Sequence, residues 1–600
     1  MAKKDLILFP VDPTKGLPVA KRQLFLRKLL EGNNTSAVAQ AIVHYLIFFE
    51  ENHYFSYSLV DQLLLDDFVS AVFAVIVDPK FLPNDNDSKC LVACNHLLSN
   101  IVATSAYETT EGPLMHVLKQ PNNAAKVLFL YNSRCKIKLD LKKFFDVSPL
   151  IASIWYNTYM LGTSCPNPVQ QENLFLHLEN IDDRWTPPNR HVSSTYFTCT
   201  YLNPLSDRHV KGVINNALKR HITVNITNEP NPNKIAIITS KWHRNHAVYK
   251  SAGPLVEQLK GHYDLTLIHL GYKLPDNLIT EGFNTVLRAA FPQEPNDSNI
   301  RLPDELLKND FQLIYFPDIG MTDEDVWLSN VRLAPIQVVG YGHPATTGDN
   351  NEIDYYIGGD VEREVTDRYS EKMILLPGLA QFPAWPTYER KNNWAQNEAV
   401  QINCVWGPDK YNYTMLRILK EISSRCSVPH VYNFYPSPGI NRYAGLIPFR
   451  KDVHTLLPNS IVHNDKEYYE YMESAEKGDF SINSFPFGGY NTVVESLFLG
   501  LPVITLEGDR FYNRAASHLL RQIGFGRLSS HDVNQFITIG VKMIQDADHR
   551  ESLRKELSEM DIKELLFSNP GTYFKQAIDY IITNHPITTS PILIGELNAN

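Results

Sequence analysis

The sequence is poor in cysteine, and its seven cysteines are odd in number and scattered through 600 residues. No disulfide framework is encoded, which points to a reducing compartment. A membrane-spanning run is also lacking. The longest strongly apolar stretch, Phe68 to Val77, is bracketed by Asp66-Asp67 and Asp78-Pro79. It falls far short of the roughly 20 residues a span requires and reads as a buried helix. The N-terminus carries two lysines but only a brief apolar stretch before Pro10, so no cleaved signal and a cytoplasmic location are expected. There is no basic excess. With 66 acidic against 56 basic residues and a net charge of -10, no global positive field exists to hold nucleic acid or an anionic membrane. Any anionic ligand must be held locally.

What is present is ample core, since 44% of the residues are hydrophobic and 20% charged. At roughly 150 residues per domain, the length fits about three large units. From Val19 to Leu218 the apolar spacing is mostly helical, as at Leu24, Phe25 and Leu29-Leu30, and at Ile42, Leu46 and Ile47. Neither a Gly-rich phosphate loop nor a 34-residue repeat interrupts it, so residues 1–228 are expected to form an all-α domain that is not a repeat solenoid. Within it, Cys90 and Cys94, four apart, read as core packing rather than a metal or redox pair.

The turn cluster Glu229-Pro230-Asn231-Pro232-Asn233 opens a different texture. Short apolar strands follow at 235–238, 265–270, 311–316, 336–340 and 353–357, separated by helical stretches, and this alternation predicts βαβ units in a parallel sheet over 229–395. After the polar stretch 391–397 a second series spans 396–600. Its strands are 400–405, 430–434, 479–483 and 502–506, and its helices include 411–426 and 514–524. Two doubly wound α/β domains in tandem would place a ligand at the carboxyl ends of their strands.

Several constellations fall at such strand ends. Phe485-Pro486-Phe487-Gly488-Gly489-Tyr490-Asn491-Thr492 follows a strand and leads into a helix, a local arrangement that can hold a phosphate on free N–H groups. Alternatively Asn491 or Thr492 is a plain N-cap, with Glu495 completing a capping box. Lys410 begins the helix after the strand 400–405, where its charge opposes the helix dipole unless an anion lies between, or where its stem simply reaches water. His243 and His246, after the first strand, have metal-like spacing but no evident third ligand, which leaves capping or a polar, proton-handling role. His343 lies in the small-residue segment Gly342 to Gly348, which can also be a tight turn. Asp323-Glu324-Asp325 reads as the acidic first turn of a helix rather than a metal site. Lys136, Lys138, Lys142 and Lys143 read as a solvated face.

Taken in order, these segments resemble glycosyltransferase family 41, which unites the bacterial cytoplasmic N-glucosyltransferases that modify high-molecular-weight adhesins with the O-GlcNAc transferases. The most specific match is Arg332-Leu333-Ala334-Pro335-Ile336-Gln337 running into Gly342-His343-Pro344-Ala345-Thr346-Thr347, supported by His243, His246 and Phe485-Pro486-Phe487-Gly488. It covers about Thr195 to Gly526 and, more weakly, the helical N-terminal part. The resemblance implies a GT-B fold of two Rossmann-like domains behind an all-α domain. It implies an inverting, metal-independent protein glycosyltransferase with no cofactor, moving glucose from UDP-glucose to Asn in Asn-x-Ser/Thr of adhesin-like proteins. It also assigns residues. Lys410 would contact the diphosphate and, with His246 beside the sugar and acceptor, act in catalysis. Gly489, Tyr490, Asn491 and Thr492 would form the phosphate loop. Glu495 would take the ribose, where the family usually has Asp, and His243 and His343 would bind substrate in the cleft. Two departures leave other readings open. Gly488-Gly489-Tyr490-Asn491-Thr492 replaces the Gly-Asn-Thr-Asn-Gly of adhesin-modifying enzymes, and the segment from Pro502 to Ser517 is closer to the O-GlcNAc-transferase branch. O-linked transfer of GlcNAc or glucose to Ser/Thr therefore stands as an alternative, and a non-catalytic partner-binding scaffold as another.

Overall fold

The computed structural model describes residues 31–597 apart from 33, 52–58, 161–164, 188–191, 203–204, 222–223, 225–227, 272, 291–301, 303, 309, 392–397, 437–442, 465 and 568–570. The helical stretch expected at Leu24 to Leu30, and all but the first residue of the polar segment 391–397, lie outside the described residues. The chain divides into two compact units, residues 1–140 with 442–448, and residues 141–441 with 449–600.

The described part of the first unit is helical, from Thr35–Glu51 and Leu59–Ile76 through to Ala124–Leu130. The apolar run at 68–76 lies in the second of these helices, and Phe68, Val69, Ala71, Val72, Phe73, Val75 and Ile76 are all buried. Among the described residues no helix is long and apolar enough to cross a membrane. The two neighbouring cysteines differ from expectation. Cys94 is buried, with its thiol pushed up to about 12 by desolvation, but Cys90 is exposed. The helix Asp85–Ala93 ends between them, so they do not share one face.

The second unit contains two parallel sheets. The strands of the first are β1 (Asn231–Thr239), β2 (Asp264–Leu270), β3 (Thr285–Ala289), β4 (Phe311–Phe316), β5 (Ile336–Val339), β6 (Tyr355–Gly359) and β7 (Lys372–Leu376). Those of the second are β8 (Val400–Cys404), β9 (His430–Phe434), β10 (Ser460–Val462), β11 (Phe480–Ile482), β12 (Val503–Leu506) and β13 (Ser529–Ser530), while β14 (Ile592–Leu593) pairs with β7 of the first. The first sheet runs β14-β7-β6-β5-β4-β1-β2-β3, the second β10-β9-β8-β11-β12-β13. Continuous burial along Ile235 to Thr239 explains why β1 reads as an unbroken apolar run rather than an alternating one.

In each sheet the strand order reverses beside the first strand, between β1 and β4 in one and between β8 and β11 in the other. These switch points open crevices at the carboxyl ends of the strands, where α/β sheets bind their ligands.

Two features differ from the expected segmentation. The helix Tyr573–Asn584 and β14 return to the first sheet. There Phe574 packs edge-on against Tyr315, and Tyr263 donates to Asp579 at 2.6 Å. Residues 396–600 are therefore not one lobe. The helices from Lys142 onward belong to the same compact unit as the sheets, so the break in compactness falls at 140/141 rather than at 228/229. The cause is polar as much as apolar: Tyr196, Lys211 and Asn215 of this helical stretch donate to the carbonyls of Thr346 and Thr347.

Candidate active site

The second sheet's switch point brings together the two segments expected to hold an anion. Lys410 ends a short 3-10 turn, Pro408–Lys410, after β8, and the loop 483–490 follows β11. The Lys410 ammonium donates to the Gly488 carbonyl at 2.8 Å and lies 5.3 Å from the centre of the Phe487 ring. Asn412 stitches the same two segments, since its side-chain amide donates to the Lys410 carbonyl at 3.1 Å and the Phe485 carbonyl at 2.7 Å. Its Oδ1 meanwhile caps the helix Tyr413–Ser424, so that helix starts later than the expected 411. Burial pulls the Lys410 ammonium down to about 8, with Asp409 opposing the shift.

The loop requires its glycines. The Gly488 N–H donates to the Tyr512 carbonyl at 2.9 Å, and a Cβ at 488 would sit 2.6 Å from that same oxygen. A Cβ at Gly489 would overlap the Thr492 hydroxyl. The Gly489 N–H is held by Asn483 at 2.7 Å. The helix that follows, Asn491–Phe498, starts from Tyr490 without any side-chain cap. The reading of Asn491 or Thr492 as a plain N-cap in a box with Glu495 is therefore incorrect. Asn491 instead accepts from the Ala384 N–H at 3.1 Å, and Tyr490 donates to the Gln381 carbonyl at 3.2 Å, so both reach the segment that joins the two lobes. The first-turn N–H groups thus have no side-chain acceptor, which leaves a helix end of the kind that can hold an anion.

Glu495 lies one turn into this helix and accepts a hydrogen bond from Tyr471 at 3.0 Å. Burial raises its carboxyl to about 7, and Lys250 opposes the shift. Lys250 belongs to the helix Ala247–Glu257 of the first lobe, so the two lobes face each other here. His246 is the N-cap of that helix, with its Nδ1 accepting from the Val248 N–H at 3.2 Å. Desolvation first, then Lys241, His243 and Lys250, lower the His246 imidazole to about 4. His243 packs against it with ring centres 5.4 Å apart, and its Nδ1 is buried without a hydrogen-bond partner. Among the described residues no group of three His, Cys, Asp or Glu side chains converges here or elsewhere.

His343 departs from expectation. Its ring is 3% exposed, packed on Phe197, with Nε2 3.1 Å from the Thr200 hydroxyl and 3.3 Å from the Lys211 ammonium. Its loop is the seat for the helices Val192–Leu202 and Asp207–Lys219, so the imidazole offers no open edge to a substrate. The acidic triplet is structural as expected: Asp325 forms a capping box with Thr322, and Asp323 accepts from Ser193.

Sequence reading missed Asp318 and His269. Asp318 follows β4 at the first sheet's switch point, fully buried, with neither oxygen in an ordinary hydrogen bond. Burial raises its carboxyl to about 7, while Thr239 and Lys241 pull it down. His269, near the end of β2, is buried with both ring nitrogens unpaired. The only signal for either was a polar residue at the carboxyl end of an apolar strand.

No model of a known protein family matches the chain. A search of characterised proteins does find relatives. The chain is 23% identical over 544 residues to the UDP-glucose:protein N-beta-glucosyltransferase of Actinobacillus pleuropneumoniae serotype 5b, covering 83% of this chain and 86% of that protein. It is 27% identical over 248 residues to a Hordeum vulgare protein named as a probable UDP-N-acetylglucosamine–peptide N-acetylglucosaminyltransferase SPINDLY, covering 39% of this chain and 25% of that one. Among solved structures, the O-GlcNAc transferase of Thermobaculum terrenum superposes with a TM-score of 0.52 at 14% identity, covering 95% of this chain and 98% of that chain. The fold is GT-B. The resemblance to glycosyltransferase family 41 read from the motifs holds well beyond them, into the helical N-terminal part.

Proposed function

We propose that the chain is an inverting protein glucosyltransferase that moves glucose from UDP-glucose to the side-chain nitrogen of Asn in Asn-x-Ser/Thr, with no metal or cofactor. The observation that carries this reading is coverage. The likeness to the N-beta-glucosyltransferase extends over 83% of the chain, helical part included, whereas the SPINDLY likeness stops at 39%. The natural acceptors are proposed to be extended, adhesin-like proteins met in the cytoplasm.

UDP-glucose is α-linked, so a β-linked product requires one displacement with inversion. Attack by the acceptor at the anomeric carbon breaks the bond to the diphosphate oxygen, and negative charge grows on departing UDP. Lys410, which faces the uncapped end of the helix Asn491–Phe498, supplies positive potential at that place before the reaction begins. Thr492 lies in the same first turn as a further donor, and Gly489 and Tyr490 shape the loop. Glu495 accepts from the ribose hydroxyls, oriented by Tyr471. His246 orients the acceptor from the opposite wall, with His243 packed beside it.

The test is UDP release from UDP-glucose in the presence of a peptide containing Asn-x-Thr. Release is expected to depend on that peptide and to vanish when its Asn is replaced by Gln. Equal release with both peptides would reject the Asn acceptor. The O-linked alternative draws on the 27% identity to the SPINDLY protein over 248 residues, and predicts release that follows the peptide's Ser/Thr instead.

A further inference from the structure

The helix Val192–Leu202 stands between loops of the two sheets. On one side it is tied to the first lobe: Tyr196 donates to the Thr347 carbonyl at 2.8 Å, Thr200 meets His343 at 3.1 Å, and Ser193 donates to Asp323 at 2.7 Å. On the other side its last turn carries Tyr201. The Tyr201 ring lies on the Phe487 ring with centres 3.8 Å apart and planes within 8°. The opposite face of Phe487 lies on Tyr512 at 4.5 Å and 7°. Phe487 is thus clamped between two rings that come from distant parts of the chain.

Phe487 immediately precedes Gly488, whose carbonyl holds the Lys410 ammonium, and the same ammonium lies 5.3 Å from the centre of the Phe487 ring, beside its edge because both faces are taken by Tyr201 and Tyr512. We infer that Tyr201 is a positioning residue for Lys410. Its ring fixes Phe487, and the Phe487 ring with the adjoining carbonyl fixes the cation where the leaving diphosphate is neutralised. The inference rests on the reading of Lys410 as the diphosphate cation. Catalysis through a preorganised charge depends on that charge not having to move when the reaction occurs, so a loosened platform lowers turnover even when the fold survives.

The arrangement has a readout that plain packing would not move. Lys410 is held down at about 8 because it is desolvated. Asp409, on its own turn, is the charged group acting on it. From the packed elements the titratable neighbours are the phenols of Tyr201 and Tyr512, both pushed up by burial and so neutral throughout this range. Removing the Tyr201 ring admits water to the ammonium and moves its titration towards that of an ordinary lysine.

The experiment is calorimetric binding of UDP-glucose against pH, with turnover and thermal melting, for the full-length protein and for Tyr201→Phe, Tyr201→Leu and Phe487→Leu. The wild type and Tyr201→Phe, which keeps the ring, are expected to lose affinity above a limb near 8. Tyr201→Leu keeps apolar bulk without the stacked face, and is expected to shift that limb upward and to lose about tenfold or more in turnover. Phe487→Leu is expected to shift the limb in the same direction. A folded Tyr201→Leu with the wild-type limb and turnover overturns the inference, whatever its melting temperature. If the wild type itself fails to bind UDP-glucose, the reading of the site falls, and the inference with it.

Discussion

His246 Nδ1 accepts the Val248 amide proton at 3.2 Å, and that one bond decides what the imidazole can do. An amide N–H only donates, so Nδ1 carries the lone pair and the neutral ring has its proton on Nε2. The free edge is then a donor rather than a base.

Because burial holds His246 at about 4, the ring is neutral throughout the physiological range. His246→Asn preserves a capping side chain but not its reach. It is expected to reduce acceptor kcat/KM by about 10²-fold while leaving UDP-glucose affinity intact. Wild-type kinetics should show no ionisation of this imidazole near 6.5. A kinetic limb there that vanishes in the variant would make His246 a base after all. The stability linkage has a definite sign. The native state binds fewer protons at this site than the unfolded chain between pH 6.5 and about 4, so stability falls as pH falls through that window. Melting curves across it should be flatter for His246→Asn.

Lys410→Ala is expected to lower kcat by about 10²-fold or more with the fold intact, the range found for removal of one preorganised donor. Lys410→Arg is not expected to restore it, because a planar fork cannot repeat the compact contact with the Gly488 carbonyl. Steady-state kinetics with circular dichroism checks both.

UDP-glucose affinity should be bell-shaped in pH. On the acid side, the proposed ribose contact requires Glu495 to be ionised, and burial has raised it to about 7. On the alkaline side Lys410 must keep its proton, which it loses above about 8. Affinity should fall by about a decade per pH unit beyond each limb, as one linked proton requires. Glu495→Gln should abolish the acid limb alone, and calorimetry over the range tests this.

Much of this site was legible in the sequence for a physical reason. A strand buried on both faces, such as β1, reads as a continuous apolar run, and the candidate ligand groups follow strand carboxyl ends, His246 after β1 and Lys410 after β8. The glycines at 488 and 489 were legible because the sharp strand-to-helix turn requires them. What escaped was fixed by distant partners. His343 looked like a cleft residue because its loop is rich in small side chains, but Lys211 and Thr200, more than a hundred residues upstream, enclose it. Asp318 escaped because its one local sign, a polar residue at the carboxyl end of an apolar strand, does not tell a buried carboxyl from an exposed one. β14 escaped because two residues carry no periodicity, and only the first sheet's free edge gives them a place.

Gly489→Ala tests the loop geometry directly. The new methyl overlaps the Thr492 hydroxyl, and relief requires the loop to shift. A loss of about 1–3 kcal/mol in stability is expected, as overpacking usually costs, together with a loss of UDP-glucose binding larger than that of any distant destabilising variant. Unchanged binding would mean that the loop does not hold the diphosphate.

The most direct test of the account gives the purified protein one acceptor peptide carrying both an Asn-x-Thr site and separate serines, together with UDP-glucose or UDP-GlcNAc, and locates the added sugar by fragmentation mass spectrometry. A single hexose is expected on the Asn nitrogen from UDP-glucose, formed about 10²-fold or more slowly by Lys410→Ala. A sugar placed on Ser or Thr, or transfer at the wild-type rate without Lys410, would contradict the proposed function.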